Sequence, residues 1–379
     1  MKLVVSLAAL AAAAFSAQVH AGDEGDGASS NTGGSSSVTI YGFIDQGVEY
    51  IHDTATSKTT TGNATRIGSG TATSYLGFRG REDLGGGLRA IFNLEQGYSP
   101  DLGTQSQGPR AWGRQAYVGL EGSFGLLNLG RQYTMKAFAM SPINMFGTGA
   151  QGLPTLDEGV SNPRADNAIS YRVKFGGGFE TGANYSFGRD GLAGNSKVAT
   201  NCPGEATEAS QCREWSLLLK YDGDKWGVSS AYERQNGGTS ATYGGLTSPD
   251  LHDTRTILGG YLFFGGTKVS VGWIRRQNDG LATPKSDLAW IMSTIPVTTA
   301  FSIDLMLAEL NYKDSADKAD VLGLRGQYAL SKRTALYITA DYINNGGALA
   351  VGATTNAPAV APLPGGSQLS LITGFRHAF

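Results

Sequence analysis

The last eleven residues, Leu369-Ser-Leu-Ile-Thr-Gly-Phe-Arg-His-Ala-Phe379, alternate at period two up to the final aromatic. Leu369, Leu371, Thr373, Phe375, His377 and Phe379 share one face of such a strand, and Ser370, Ile372, Gly374, Arg376 and Ala378 share the other. In a soluble protein a bare aromatic strand at the terminus is an exposed edge that recruits other chains. A closed barrel in a membrane removes the edge and gives the apolar face lipid to meet. The segment therefore predicts a closing strand.

The opposite end predicts export. Lys2 supplies a positive start, Leu3 to Ala17 is apolar or small, and Val19-His20-Ala21 fits a small-residue cleavage site, so residues 1–21 are expected to be a signal peptide. Residues 22–36 are rich in Gly, Ser and Asp without apolar period and are expected to be a flexible leader, followed by a barrel domain over 37–379. The longest near-apolar stretches, such as Ala300–Leu310, are interrupted by Asp304 or glycine, so no later segment is expected to span as a helix.

Composition fits a barrel with a wet interior. The chain is only 40% hydrophobic and carries 55 glycines, which a membrane protein tolerates if half its strand residues face water. Loss of Lys2 takes the formal charge from −2 to −3, and no basic tract is present, so nucleic acid is not an expected partner. Cys202 and Cys212 lie close together in NCPGEATEASQC. In an exported chain they are expected to form a disulfide across a short loop, contributing roughly 2–3 kcal/mol. No His stands beside them at metal-ligand spacing.

From Val38 onward, segments of period-two alternation recur near 38–51, 73–82, 87–96, 111–121, 124–133, 166–174, 178–188, 213–222, 226–234, 255–264, 267–276, 286–294, 299–312, 319–330, 333–343 and 367–379. Short connections (Asp83-Leu-Gly-Gly86, Gly265-Gly266, Ser331-Lys332) alternate with long ones (97–110, 134–165, 188–212, 235–254, 344–366). Hairpins tight at one end and extended at the other belong to outer-membrane barrels. The expected fold is all-β, a sixteen-stranded antiparallel transmembrane barrel; the weakest turn signal lies in Ile291–Ala300.

Several segments resemble the general diffusion porins of Gram-negative, especially β-proteobacterial, outer membranes. They are Val38-Thr-Ile-Tyr-Gly-Phe-Ile-Asp45, Leu76-Gly-Phe-Arg-Gly-Arg-Glu-Asp-Leu-Gly-Gly-Gly-Leu-Arg-Ala-Ile-Phe-Asn-Leu-Glu95, Arg114-Gln-Ala-Tyr-Val-Gly-Leu120, Phe124-Gly-Leu-Leu-Asn-Leu-Gly-Arg-Gln132, Arg164-Ala-Asp-Asn-Ala-Ile-Ser-Tyr171 and Gly374-Phe-Arg-His-Ala-Phe379. The resemblance implies a homotrimer in the outer membrane, surrounded by its lipids, that passes ions and small hydrophilic solutes by diffusion. It implies that the third long loop, 134–165, folds into the barrel and narrows the pore, and that Phe379 is the signal read by the barrel assembly machinery. By the same resemblance the trimer interface falls on strands one to five.

Such a protein does no covalent chemistry; pore width and charge set what passes. Inward parity is expected for Arg79, Arg81, Arg89, Arg172, Lys174 and Arg325, while the loop carries Asp157 and Glu158. Arg79, Arg89 and Arg172 are the expected constriction wall, facing Asp157 and Glu158 across a transverse field. Arg131 has outward parity with Leu127 and Leu129 unless a bulge intervenes. Inward basic residues outnumber inward acids, which favours weak anion preference. Tyr41, Phe43, Tyr75, Tyr117 and Tyr337 also have inward parity and would suit a substrate-specific variant with a binding track. An outer-membrane hydrolase would need a nucleophile and a positioned base. The four His are His20 in the signal peptide, His52 and His252 in loops and His377 in the last strand, and no HExxH or GxSxG occurs. No catalytic residue, cofactor or metal is expected. A secreted β-sandwich adhesin would show the same alternation, but not tight and long connections alternating over this length.

Overall fold

The computed structural model describes residues 36–108, 110–161, 163–189, 202, 209–239 and 245–379. The expected signal peptide and, but for Ser36, the expected leader lie outside the described residues. Sixteen antiparallel strands form one closed sheet: Ser37–Ala55, Tyr75–Gly85, Leu88–Ser99, Gln115–Gly122, Gly125–Tyr133, Arg164–Phe175, Phe179–Ser186, Glu214–Asp222, Trp226–Asn236, His252–Phe264, Thr267–Asn278, Lys285–Pro296, Phe301–Tyr312, Lys318–Ala329, Thr334–Gly346 and Ser367–Ala378. The last strand pairs with the first from Phe43↔Ala378 to His52↔Leu369, so the barrel has no free edge. Every backbone group of a spanning strand thus finds a partner inside the sheet.

Each of the sixteen expected segments falls on one of these strands. The weak turn signal near 291–300 has a local explanation. The Val297 N–H donates to the Phe301 carbonyl (2.9 Å), and Thr298 Oγ1 accepts from the Phe301 N–H (3.0 Å). A threonine turn therefore replaces the usual glycine. At the same end of the barrel, Gly85, Gly86 and Gly87 take φ of +86°, +62° and +80°, which side chains with a Cβ adopt only with strain.

Alternation sorts the two faces. Leu219, Leu307 and Ile338 are 56%, 56% and 60% exposed on the outer surface, where lipid replaces water. Near the short turns Phe175, Phe179, Tyr221 and Trp226 form a chain of ring contacts, with successive centroids 5.8, 4.9 and 4.8 Å apart. This is the interfacial girdle expected of a barrel.

One feature was not legible in the sequence. The second strand is broken: the first strand pairs with Thr61–Gly68 over its outer half and with Tyr75–Gly85 over its inner half. Asp45, fully buried opposite the gap, explains the break. Its Oδ2 accepts from the Thr71 N–H (3.1 Å), Thr71 Oγ1 (2.5 Å) and the Ala72 N–H (3.1 Å). Tyr337 donates to Oδ1 (2.5 Å). Residues 69–74 leave the ladder and satisfy a carboxylate that would otherwise be buried without partners.

Candidate functional site in the barrel lumen

The longest connection between the barrel strands whose residues are almost all described, 134–163, lies against the lumen face of the wall. It begins with a six-residue helix, Met135–Met140, composed of good helix formers apart from Phe138. Thr134 does not cap it; its hydroxyl donates to Glu233 Oε2 (2.6 Å), and Lys136 Nζ pairs with Glu233 Oε1 (2.5 Å). Lumen-facing hydroxyls then take up backbone carbonyls in sequence. Ser229 binds that of Ala139 and Ser270 that of Ile143, both at 2.8 Å. Trp290 Nε1 shares the Ile143 carbonyl (3.1 Å). Arg325 donates to the carbonyls of Met145 (2.7 Å) and Phe146 (3.1 Å) while pairing with Asp304 (2.7 Å).

The far end of the segment is fixed as firmly. Asp341 accepts from the Gly152 N–H (2.7 Å), and Gln151 is bound by Ser370 and Thr339. The Ala150 N–H donates to the Gly70 carbonyl (3.0 Å) in the break of the second strand. A Cβ on Gly149 would lie 2.5 Å from that carbonyl oxygen, so only glycine permits the approach. Two short helices follow, Leu153–Leu156 and Glu158–Ser161.

Beneath this segment is an apolar core inside the barrel. Met135, Met140, Ile143, Phe146, Leu153 and Val160 pack against Leu218, Ile257, Ile274, Leu288, Trp290, Met292 and Met306, all under 8% exposed. The strands over 214–346 thus carry an apolar belt towards the lumen as well as towards lipid, set among polar residues such as Glu233, Arg255 and Arg325. Burying each such side chain stabilises the seat by about 1.5–3 kcal/mol.

The opposite wall is polar and cationic. Arg79 lies over the Tyr41 ring (5.0 Å), Arg114 over Tyr75 (4.4 Å) and Arg164 over Tyr133 (4.6 Å). Tyr133 Oη accepts from both Arg114 (3.0 Å) and Arg164 (2.9 Å). Glu95 pairs with Arg114 (3.1 Å) and accepts from Tyr41 (2.7 Å). Among the described residues Arg79 and Arg164 have no carboxylate ion pair, and Arg164 Nε is buried without a hydrogen-bond partner.

The expected constriction residues are distributed differently from the simple wall-and-loop arrangement. Arg79 is on the open cationic wall. Arg89 stands opposite Glu121 in the register, beside the glycine turn, with Nη1 3.8 Å from its carboxylate. Parity fixed its side but not its height, and it belongs to the short-turn mouth. Arg172 is lumen-facing but lies under the helix, over the Phe138 ring (3.8 Å) and paired with Glu180 (2.9 Å). Asp157 is buried against the wall, where Arg255 Nη2 meets its Oδ1 at 2.8 Å. Burial pushes this carboxyl up, but the Arg255 charge and hydrogen bonds override it and hold it well below the usual carboxylate range. Glu158 is exposed. Arg131 stands opposite Ala116, but the register to the next strand shifts between Gly130 and Gln132, and its side chain is buried, with its charge meeting Asp166 at 2.5 Å.

Arg255 and Arg114 escaped the sequence reading. Leu258 and Leu262, outward in the same strand, give Arg255 inward parity; Arg114 has outward parity with respect to Tyr117 within the expected segment 111–121, but the strand begins only at Gln115, so that parity does not apply to it. Cys202 and Cys212 are joined, with sulfurs 2.04 Å apart.

A closed barrel with a lipid-facing apolar belt and a lumen lined by charge defines a membrane channel. The model of the Gram-negative porin family matches residues 5–348, and the chain belongs to that family. It is 30% identical to outer membrane porin protein 32 of Delftia acidovorans, over 91% of this chain and 94% of that protein. It is 28% identical to an outer membrane porin protein of Bordetella pertussis, over 82% and 89% of the two chains. Among solved structures it matches the anion-selective porin from Comamonas acidovorans with a TM-score of 0.74 and 27% identity, covering 91% of this chain and all of that one. The chain is an integral outer-membrane channel and not an enzyme.

Proposed function

We propose that this porin is a trimeric general diffusion pore with a preference for small anions. In this reading the segment 134–163 narrows the path, and solutes pass between it and the cationic wall. The observation that carries the reading is the pair of uncompensated guanidinium groups, Arg79 and Arg164, beside an Arg114 that shares one carboxylate. Screening over a Debye length of about 8 Å lets only charges lining the path act on ions within it, so an excess on one wall suffices to bias entry. Glu158 is the acidic residue of the segment left to oppose that wall, because Asp157 is taken up by Arg255. Arg89 and Arg172, each paired with a glutamate, contribute less field to the path. The similar Comamonas acidovorans protein is described as anion-selective, which supports the sign. A Vibrio cholerae barrel of the same fold is described in a trimer form, which supports the assembly, and Phe379 remains the proposed assembly signal.

Planar-bilayer recording under a salt gradient tests this. Current steps in threes and a reversal potential of anion sign are expected, with Arg79→Gln plus Arg164→Gln moving the potential towards cation preference. A wild-type potential of cation sign would overturn the proposed selectivity. Block of the current by one solute class alone would favour a substrate-specific pore.

A further inference from the structure

Arg376, in the last strand, stands beside an acid that it does not pair with. Thr373 and Phe375 are exposed on the outer face and Ile372 is buried towards the lumen, so Arg376 shares the lumen face. The register sets it directly opposite Asp45 of the first strand. Side chains opposed in this way have Cβ atoms about 5 Å apart, close enough for an arginine and a carboxylate to join. Yet among the described residues Arg376 has no carboxylate ion pair. It reaches the neighbouring chain through one long hydrogen bond, from Nη1 to Thr71 Oγ1 at 3.4 Å.

The break in the second strand accounts for this. Thr71 and Ala72 take up Asp45 Oδ2, and Tyr337 takes up Oδ1. The Thr71 hydroxyl donates to Asp45 and accepts from Arg376, so it stands between the two charges. Asp45 is fully buried, whereas Arg376 is only half-buried, which leaves the cation nearer to water than its acid. Arg376 also continues the cationic wall. Its guanidinium lies 6.0 Å from the Phe43 ring, Phe43 packs edge-on against Tyr75 (4.7 Å), and Arg114 lies over Tyr75. Opposite Ala335, the second residue of its strand after a short turn, it lies in the short-turn half of the barrel. The segment 134–163 meets the wall at the same place: a Cβ on Gly149 would lie 2.4 Å from the Thr71 carbonyl oxygen.

We propose that Arg376 is a further selectivity-determining residue, a station for small anions such as chloride beyond Arg114 along the wall, and that the break at 69–74 keeps it available by holding Asp45 away from it. This role rests on the reading of the pore as anion-preferring. An ion passing the guanidinium meets a charge with a side open to water, where a closed ion pair would have cancelled most of that field. Asp45 weakens the field without removing it, because the acid is the more deeply buried of the two. The break thus has a use beyond satisfying a buried carboxylate: it separates two opposite charges that an unbroken ladder would bring together.

The test is the reversal potential of the bilayer-reconstituted porin under potassium chloride gradients, one dilute and one concentrated. In dilute salt Arg376→Gln should lower the chloride-to-potassium permeability ratio about twofold, the Boltzmann factor for one charge at roughly 8 Å in water. The change should nearly vanish at about 1 M, where the Debye length falls to about 3 Å from about 30 Å at about 0.01 M. Arg376→Lys keeps the charge and should stay close to the wild type. Thr71→Val removes the hydroxyl between the two charges and frees Asp45 to reach Arg376, so it should lower the ratio with Arg376 still in place. That variant carries the test if Arg376→Gln does not assemble. The quantity compared is the shift from wild type, which separates this role from the reading of the whole pore. A cation-preferring wild type that still shifts in Arg376→Gln would sink that reading and keep the role of Arg376. An anion-preferring wild type with no shift in Arg376→Gln would overturn the role alone. So would an equal fall in Arg376→Lys, or a wild-type ratio in Thr71→Val.

Discussion

The lumen face of residues 75–133 and that of residues 214–346 are made by the same period-two alternation, yet one carries arginines over tyrosines and the other carries Ile257, Ile274, Leu288 and Met306. The first keeps Arg79 exposed to water, with Arg114 buried. The second is covered by the segment 134–163, which brings Met140, Ile143 and Phe146 to meet it. A barrel interior need not be polar where a loop supplies the other half of a core. The contrast places the segment: apolar area decides which wall it lies on, and arginine and serine hydrogen bonds decide its register along that wall.

The contrast can be broken most severely at Arg325. Arg325→Ala leaves the buried Asp304 with hydrogen bonds from Thr294 and Gln327 but no ion pair, and strips the carbonyls of Met145 and Phe146. A loss of about 3–5 kcal/mol is expected, read as a lower unfolding temperature together with noisier single-channel current. Unchanged stability and noise would mean that the segment is held elsewhere.

A smaller change, Ile143→Ala, tests the apolar part of the seat. Ile143 is fully buried, and roughly 2–3 kcal/mol should be lost, the lower part of the range for truncating such a side chain, because a loop can settle into the space. If the same substitution at Ile338 on the outer surface costs as much, burial beneath the segment is not what stabilises it.

The smallest effect is expected at Asp157, about 1–2 kcal/mol for Asp157→Asn, since Arg255 keeps Asp253 as a partner at 3.2 Å. Its pH dependence sharpens the point. The folded-state pKa is depressed by Arg255 against the effect of burial, so this contribution is fully present above the unfolded pKa of about 4 and is lost only as pH falls through the lower folded value. Channel conductance should therefore not change between neutral pH and about pH 5 through this group. A transition in that window that Asp157→Asn removes would contradict the pairing.

Much of the fold was legible because alternation is a direct record of two-faced burial: all sixteen strands were marked by it, including Phe301–Tyr312, whose entry lacks a glycine turn. The break at 69–74 was not legible, since Asp45 looks like any inward polar residue until its partners Thr71 and Tyr337, distant in sequence, are known. The site was legible in part. Parity told which arginines face inward but not at what height, so Arg79 and Arg89 looked alike although one lies over Tyr41 and the other beside the turn. Charge pairing was hidden for the same reason: Asp157 meets Arg255 across 98 residues.

The most direct test of the two-wall account is thiol accessibility from the aqueous pore, with the native cysteines already joined. Arg79→Cys and Ile274→Cys, treated with a charged methanethiosulfonate during recording, place one probe on each wall. Rapid modification and a fall in current at position 79, with no reaction at position 274, are the expected result. Equal reaction and block at position 274 would show that water and solutes run along the apolar wall, and the placement of the segment against it would be wrong.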